Sequence, residues 1–260
     1  FGSVAAAILP AYTGFGVNPD YLILSCMMSA PAALALSKLA CPADAGKDAG
    51  AEAEADNAAR TAEALRSKDG SVVEAAGNGA SNALPLVGNI AAMLIAVNGL
   101  MTCLDGLTGW LFRHVGCDLS LSALMGYVMS PFAFIMGVPM HECRQVGLLL
   151  AKKLLINELV AFRDLGSMIQ NRGQAGLVPQ HIDGLDGVVT LSPHSEAIST
   201  FALCNFANIG SVGVTFGALC ALCPERRSEI APLMARTMLV GFAVGLLNGC
   251  VAGVLIRPDL

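Results

Sequence analysis

The sequence predicts an all-α polytopic membrane protein that contains a re-entrant helical hairpin and discontinuous helices. Hydrophobic residues make up 55% of the 260 residues and charged residues only 13%, whereas soluble domains carry about 25% charged residues. Mean hydropathy is +0.63. Several apolar segments are long enough to cross a bilayer. Two of them are interrupted by proline, glycine and polar side chains, as in helices that break around an internal cavity.

Charge and cysteine usage exclude other classes of protein. The net charge is −5 and the sequence has no basic patch, so nucleic-acid binding is not expected. Most of the nine cysteines lie in apolar runs, where cysteine acts as a small hydrophobic residue. Cys220 and Cys223 have CxxC spacing but lack a second ligand pair, so we expect no metal centre, redox role or cofactor there.

Residues 1–40 are predicted to hold the end of one span and a complete second span. The chain begins FGSVAAAILPAY, without a methionine and in the middle of an apolar segment, which is typical of the C-terminal portion of a longer polypeptide. The complete span is YLILSCMMSAPAALALSKLA. As a helix it would be about 30 Å long, enough to cross the hydrocarbon core.

Residues 41–70 are rich in alanine, acidic residues and lysine and have no apolar stripe, so they predict a solvated linker. Residues 71–83 predict a short interfacial helix. Residues 84–113 predict the next span, which is long enough to tilt. Three polar residues in this span are expected to form hydrogen bonds between helices: Asn89, Asn98 and Asp105.

Residues 121–162 are predicted to form the hairpin. The stretch GVPMHECRQVG places charged residues between two apolar runs, and a charged side chain at the bilayer centre costs roughly 2.5–3.5 kcal/mol. Pro139 disrupts helical hydrogen bonding just before Glu142, so we expect a tip that presents Glu142 inside the protein. The alternative is an ordinary loop between two full spans, with Glu142 solvated or paired with Arg144.

Residues 163–193 are polar, with glycine, proline and aspartate throughout, and predict an extracellular loop. Residues 194–223 predict a discontinuous span, because ALCNFANIGSVG places Asn208 and Ser211 three residues apart beside two glycines. Polar residues that only bind a neighbouring helix would produce the same pattern.

Residues 229–257 predict the last span. Four glycines spaced four residues apart line one of its faces and favour close packing of another backbone, with a sliding track as the alternative: Gly241, Gly245, Gly249 and Gly253.

Positive charge predicts the orientation in the membrane. Arg226 and Arg227 adjoin the end of a span, so that turn is expected in the cytoplasm. The 163–193 loop then lies outside, and the 41–70 linker lies in the cytoplasm. This arrangement requires residues 121–162 to enter and leave the membrane on the same side. Two full spans and a re-entrant hairpin both meet that requirement.

Several motifs occur in an order that resembles the C-terminal portion of the concentrative nucleoside transporters, the sodium/nucleoside cotransporter family. ALCNFANIGSVG followed by CPERRSEIA resembles the seventh-span signature, and MGVPMHE with KKLLINELVAF resembles the second re-entrant hairpin. SCMMSAPAALALSKL is similar to the fifth span, and EAAGNGASNALPLVGNIAAMLIA to the interfacial helix and sixth span. FGSVAAAILPAYTGFGV resembles the back part of the fourth span, so the last span is the eighth.

The resemblance implies a secondary active symporter that imports nucleosides across the plasma membrane with a sodium gradient, and in some members with protons. It implies a multi-pass fold with a scaffold that forms a homotrimer, and a transport domain that moves like an elevator in the bilayer. No cofactor is implied besides sodium as the coupling ion.

The resemblance also implies the ligands of the site. Glu142 matches the hairpin glutamate that binds the ribose hydroxyls. The other matched positions are polar and apolar contacts to the nucleoside and two partial sodium ligands. These are Asn208, Ser211 and Phe206 near the sugar, Ile8 near the base, and Ser3 and Val4 at the sodium ion.

The chain departs from the family pattern at Met140, where many members have tryptophan, and at Asn205, where glycine is usual. The family's first hairpin, which reads the base, precedes Phe1. We therefore expect the 260 residues alone not to carry out sodium-dependent uridine uptake in liposomes. The alternatives are a proton-coupled symporter and a non-transporting nucleoside-recognition gate. No enzyme is expected, because HExxH and GxSxG motifs are absent from the sequence.

Overall fold

A computed structural model describes residues 1–4, 8–42, 70–114, 116, 120–173, 182, 184–185, 187–222 and 224–256. In these ranges the regular structure is entirely helical, as the sequence predicts. The helices are α1 (Leu9–Gly14), α2 (Pro19–Ala40), α3 (Val72–His114), α4 (Leu121–Ile135), α5 (Cys143–Leu155), α6 (Glu158–Gly173), α7 (Pro193–Leu203), α8 (Ile209–Leu222), α9 (Arg227–Ile230) and α10 (Met234–Leu255). Short 3₁₀ turns at Pro224–Arg226 and Ala231–Leu233 flank α9.

Helix α2 has Asn18 as its N-cap and Pro19 as its first residue, and many of its apolar side chains are exposed. The Asn18 side chain accepts a hydrogen bond from the Asp20 backbone N–H, and Pro19 starts the helix, where a missing N–H costs nothing. Met27 and Leu34 are 69% and 67% exposed. Exposed apolar surface of this kind fits a helix that faces lipid.

Two helical stretches among the described residues are long and apolar enough to cross a membrane by length and composition. They are Pro19–Ala40 and Arg227–Leu255, which correspond to the predicted fifth and eighth spans.

Helix α3 corrects the predicted division between an interfacial helix and a span. Residues 71–83 and 84–113 were expected as two elements, but Val72–His114 is one helix of 43 residues, about 65 Å long. The following span can nucleate the helix, so residues 72–83 need only extend it, although Gly77 and Gly79 are poor helix formers. Most of the predicted 41–70 linker lies outside the described residues.

Asp105 of α3 binds the start of α4. Its carboxylate accepts hydrogen bonds from the backbone N–H of Ser122 at 2.8 Å and from the Ser122 hydroxyl at 2.7 Å. The prediction that Asp105 forms a hydrogen bond between helices is therefore confirmed. The side chains of Asn89 and Asn98 lie outside the described part of the chain.

Helices α4 and α5 pack closely on either side of the turn at 136–142. A Cβ added to Gly147 would lie 2.8 Å from the Ser130 backbone nitrogen, and one added to Gly126 would lie 3.2 Å from the Leu148 Cα. Gly137 has a φ of +96°, which side-chain-bearing residues rarely adopt, so glycine permits this turn.

The predicted hairpin at 121–162 contains two turns rather than one. After α5 ends at Leu155, the chain turns again at 156–157 and α6 folds back on α5. Lys152 and Asp164 show this return, because their side chains form a buried ion pair of 2.6 Å between the two helices.

The predicted loop at 163–193 begins later than expected, because α6 continues through Gly173. Leu165 and Met168 are fully buried. Arg172 donates to the Leu191 carbonyl at 2.8 Å and pairs with Glu196 at 2.5 Å. Packing and these contacts keep the polar sequence helical. Part of the remaining loop lies outside the described residues.

The glycine face of α10 is used for close packing, as predicted. A Cβ added to Gly245 would lie 2.6 Å from the Ala202 carbonyl oxygen of α7, and one added to Gly249 would lie 2.5 Å from the Met136 sulfur. An added Cβ at Gly241 would contact Phe1. The missing side chains therefore let α10 lie directly against three separate segments.

Candidate functional site

The predicted discontinuous span is interrupted at residues 204–208, between α7 and α8. Asn205 is fully buried and holds this interruption against α10. Its amide nitrogen donates to the Gly241 carbonyl at 3.0 Å, and its side-chain oxygen accepts from the Ala207 backbone N–H at 3.3 Å. Buried polar groups of an unwound segment need such partners.

Asn208 and Ser211 begin α8 with a reciprocal pair of hydrogen bonds. The Asn208 side-chain oxygen accepts from the Ser211 backbone N–H at 2.7 Å, and the Ser211 hydroxyl accepts from the Asn208 backbone N–H at 3.1 Å. The Ser211 hydroxyl also lies 2.7 Å from the Phe206 carbonyl, to which it can donate. The structure therefore brings together the three predicted residues of this segment.

Glu158 meets Asn208 at this interruption. It is the first residue of α6 and only 3% exposed, and its carboxylate accepts a hydrogen bond from the Asn208 amide at 2.8 Å. The neighbouring Asn157 accepts from the Val160 backbone N–H at 2.9 Å and so caps α6. The N-terminus of a helix also favours a carboxylate electrostatically.

Glu142, the predicted sugar ligand, contacts a different segment. It lies at the start of α5, is 7% exposed, and accepts hydrogen bonds from the backbone N–H and the hydroxyl of Ser192 at 2.9 and 2.8 Å. Ser192 is the residue that caps α7. The structure thus pairs Asn208 with Glu158, whereas Glu142 joins the start of α5 to the start of α7.

The predicted sodium ligands lie on the segment that precedes α1. The Phe1 carbonyl accepts from the Phe206 backbone N–H at 3.1 Å, so this segment lies against the interruption of the seventh span. Val4 is buried, and the exposed Ser3 donates to the Val4 carbonyl at 3.4 Å. Ile8 is half-buried at the start of α1 and packs against the core. Residues 5–7 lie outside the described ranges.

The candidate site therefore combines the non-helical segment 1–4 with two places where one helix ends and the next begins, at 156–158 and 204–208. Each lacks part of the regular backbone hydrogen bonding and supplies oxygen and amide groups in its place.

A family model described as "Na+ dependent nucleoside transporter C-terminus" matches residues 21–253 of this chain. The chain belongs to the sodium-dependent nucleoside transporter family.

The curated relatives include transporters from several vertebrates. Solute carrier family 28 member 3 of Eptatretus stoutii is 38% identical over 264 residues, covering 100% of this chain and 37% of the relative. Sodium/nucleoside cotransporter 1 of Homo sapiens is 36% identical, covering 99% of this chain and 38% of the relative. The chain thus spans less than two fifths of the length of these relatives.

Solved structures of the transporter CNTnw share the fold. The inward-facing substrate-bound state has a TM-score of 0.77 at 30% identity and covers 97% of this chain and 54% of CNTnw. A double variant in an outward-facing state has a TM-score of 0.76 at 30% identity. A transporter fold with discontinuous helices is confirmed.

Two buried charged residues beside the interruption are not among the site residues predicted from the sequence. They are Glu158 and Lys153, which both lie in KKLLINELVAF. The available signal was Asn157, a helix-capping residue directly before an apolar run, which indicates a second helix start. A fully buried Tyr12 also stacks on Phe162, one turn after Glu158, with ring centroids 4.1 Å apart.

Proposed function

We propose that this chain is part of a secondary active symporter that imports nucleosides with a sodium gradient. Membership of the sodium-dependent nucleoside transporter family supports the proposal. We further propose a multi-pass protein of the plasma membrane that forms a homotrimer and moves its transport domain like an elevator. The turn at Arg226 and Arg227 would face the cytoplasm.

The hydrogen bond between Asn208 and Glu158 carries this proposal. A buried carboxylate and an amide at an interrupted helix can bind the vicinal hydroxyls of ribose through charge-assisted hydrogen bonds. Ser211 adds a hydroxyl beside them, and the half-buried Phe206 supplies apolar surface. Ile8, at the start of α1, is proposed to contact the base.

Glu158 is favoured over Glu142 as the sugar-binding carboxylate. Ser192 already donates one hydrogen bond to each Glu142 oxygen, so binding a diol would break contacts that cap α7. The Glu158 carboxylate instead lies beside Asn208, one of the other predicted sugar contacts. The assignment of Glu142 stays a prediction, which the comparison of Glu158→Gln with Glu142→Gln decides.

Sodium coupling is proposed to use the segment that precedes α1. The Ser3 hydroxyl and Val4 carbonyl are hard oxygen donors, and unwound backbone carbonyls coordinate sodium in transporters with broken helices. Moving one sodium ion down 100 mV supplies about 2.3 kcal/mol, enough for roughly fifty-fold accumulation.

The test is uridine uptake by the full-length protein in liposomes with an inward sodium gradient. We expect uptake that stops when choline replaces sodium. Uptake driven by a proton gradient without sodium would support a proton-coupled symporter. Uridine binding without accumulation under either gradient would support a nucleoside-recognition gate, and absence of nucleoside binding would contradict the proposed function.

A further inference from the structure

Lys153 places a fully buried ammonium group beside the interruption of the seventh span. The residue lies in the last turn of α5 and is 0% exposed. Its Nζ donates to the Ala202 carbonyl of α7 at 2.7 Å and lies 5.4 Å from the centre of the Phe242 ring of α10. A buried charge is costly unless it is paired and hydrogen-bonded, and these two contacts offset part of that cost for the Lys153 ammonium.

The Ala202 carbonyl needs this donor because the helix ends there. In a continuous helix it would accept from the backbone N–H of residue 206, four positions later. The Phe206 N–H donates instead to the Phe1 carbonyl at 3.1 Å. Lys153 therefore donates to a carbonyl that has lost its helical hydrogen-bond partner at the interruption. This carbonyl lies at the C-terminal end of α7, where the helix dipole favours a cation.

Lys153 is also a buried cation close in the chain to Glu158. The two side chains lie on either side of the turn at 156–157 and both are buried, although they form no direct ion pair within 4.0 Å in the described part of the chain. The adjacent Lys152 does not share this role, because its ammonium binds Asp164 at 2.6 Å. Of the two neighbouring lysines, Lys153 is therefore the one whose charge is not paired with Asp164.

We propose that Lys153 is a positioning residue of the substrate site and acts as a tethered cation. Its ammonium holds the carbonyl end of α7 and balances the charge of Glu158, which keeps Glu158 in place to face Asn208. This inference rests on the proposed function of Glu158 as the sugar-binding carboxylate. Transporters with broken helices often bind their coupling ion at the carbonyl end of a half-helix. Here the lysine fills that position at Ala202, so the coupling sodium binds elsewhere.

The first test is chemical rescue in the full-length protein. Lys153→Ala removes a propylammonium group, and uridine affinity should fall by roughly tenfold or more, since truncating one member of a buried charged network is costly. Added propylammonium should restore most of the affinity, whereas propan-1-ol, which fills the same space without charge, should not. Equal rescue by both compounds, or by neither, would overturn the proposal.

The second test measures stability, so it does not depend on nucleoside binding. Lys153→Met should lower the melting temperature because Glu158 loses its balancing charge. Adding Glu158→Gln should recover part of that loss, whereas the matched change Asp164→Asn should not. Absence of recovery with Glu158→Gln, or equal recovery with both, would overturn the inference.

The two proposals fail in different ways. Unchanged uridine affinity in Glu158→Gln would contradict the sugar-binding role of Glu158. The recovery of melting temperature would still report whether Lys153 balances that carboxylate.

Discussion

Asn208 and Glu158 lie fifty residues apart in the chain and are joined by a hydrogen bond of 2.8 Å where two helices begin. Both side chains are buried, at 3% exposure each. A carboxylate that is buried but not paired with a cation at hydrogen-bonding distance retains capacity to accept further donors. This relationship brings the carboxylate of the second turn of the 121–162 segment to the broken seventh span, whereas Glu142, in the first turn, contacts Ser192.

Glu158→Gln should lower uridine affinity of the full-length protein by roughly tenfold to a hundredfold, because charge-assisted hydrogen bonds contribute about 1.5–3 kcal/mol. Glutamine keeps the shape of the side chain, so membrane expression should change little. The matched variant Glu142→Gln should have a smaller effect on affinity. Binding isotherms for both variants decide the matter, and loss of binding only in Glu142→Gln would identify Glu142 as the ligand.

Ser192→Ala should destabilise the protein more than an ordinary cap substitution. It removes the cap of α7, which costs about 1 kcal/mol. It also removes the hydroxyl that donates to the buried Glu142 carboxylate at 2.8 Å, while the backbone N–H of residue 192 still donates to the other carboxylate oxygen. Ser120→Ala is the control, because Ser120 caps α4 through the Ala123 N–H. Thermal melts should show the larger loss for Ser192→Ala, and equal losses would contradict the role of Glu142.

Gly245→Ala should destabilise the packing of α10 by about 1–3 kcal/mol, the usual cost of overpacking a close contact. The added Cβ would lie 2.6 Å from the Ala202 carbonyl oxygen. Gly99→Ala is the control, since an added Cβ meets nothing within 4 Å there, and alanine favours the helix. Melting temperatures should fall for the first variant and stay level or rise for the second.

Cys26 and Cys204 should cross-link under a mild oxidant such as copper–phenanthroline. Their sulfur atoms are 3.6 Å apart, between α2 and the end of α7, and a small side-chain rotation would bring them to the 2.05 Å of a disulfide. Mass spectrometry of the digested full-length protein should detect the linked peptides. Cys26→Ser should abolish that product, and failure of the unmodified protein to form it would contradict this packing of α2 on α7.

Local sequence was sufficient for many elements because their causes are local. The low charge content, the capped start of α2, the interruption at CNFAN and the glycine face of α10 all follow from composition or from spacing within one turn of helix. The end of α6 at Gly173 could not be predicted from local sequence. Residues 163–173 are polar enough for a loop, and they remain helical because Leu165 and Met168 are buried and Arg172 binds Glu196.

The membrane class, the order of the helices and the resemblance to nucleoside transporters could be established from residue types and their spacing alone. Which glutamate faces the broken seventh span could not. Glu142 and Glu158 each stand at a helix start after a helix-disrupting or capping residue, so their local patterns are alike. Their partners, Ser192 and Asn208, each lie fifty residues further along the chain. Only the packing of α5, α6, α7 and α8 brings each carboxylate to its donor, because a hydrogen bond requires distances near 2.8 Å that no spacing in sequence can specify.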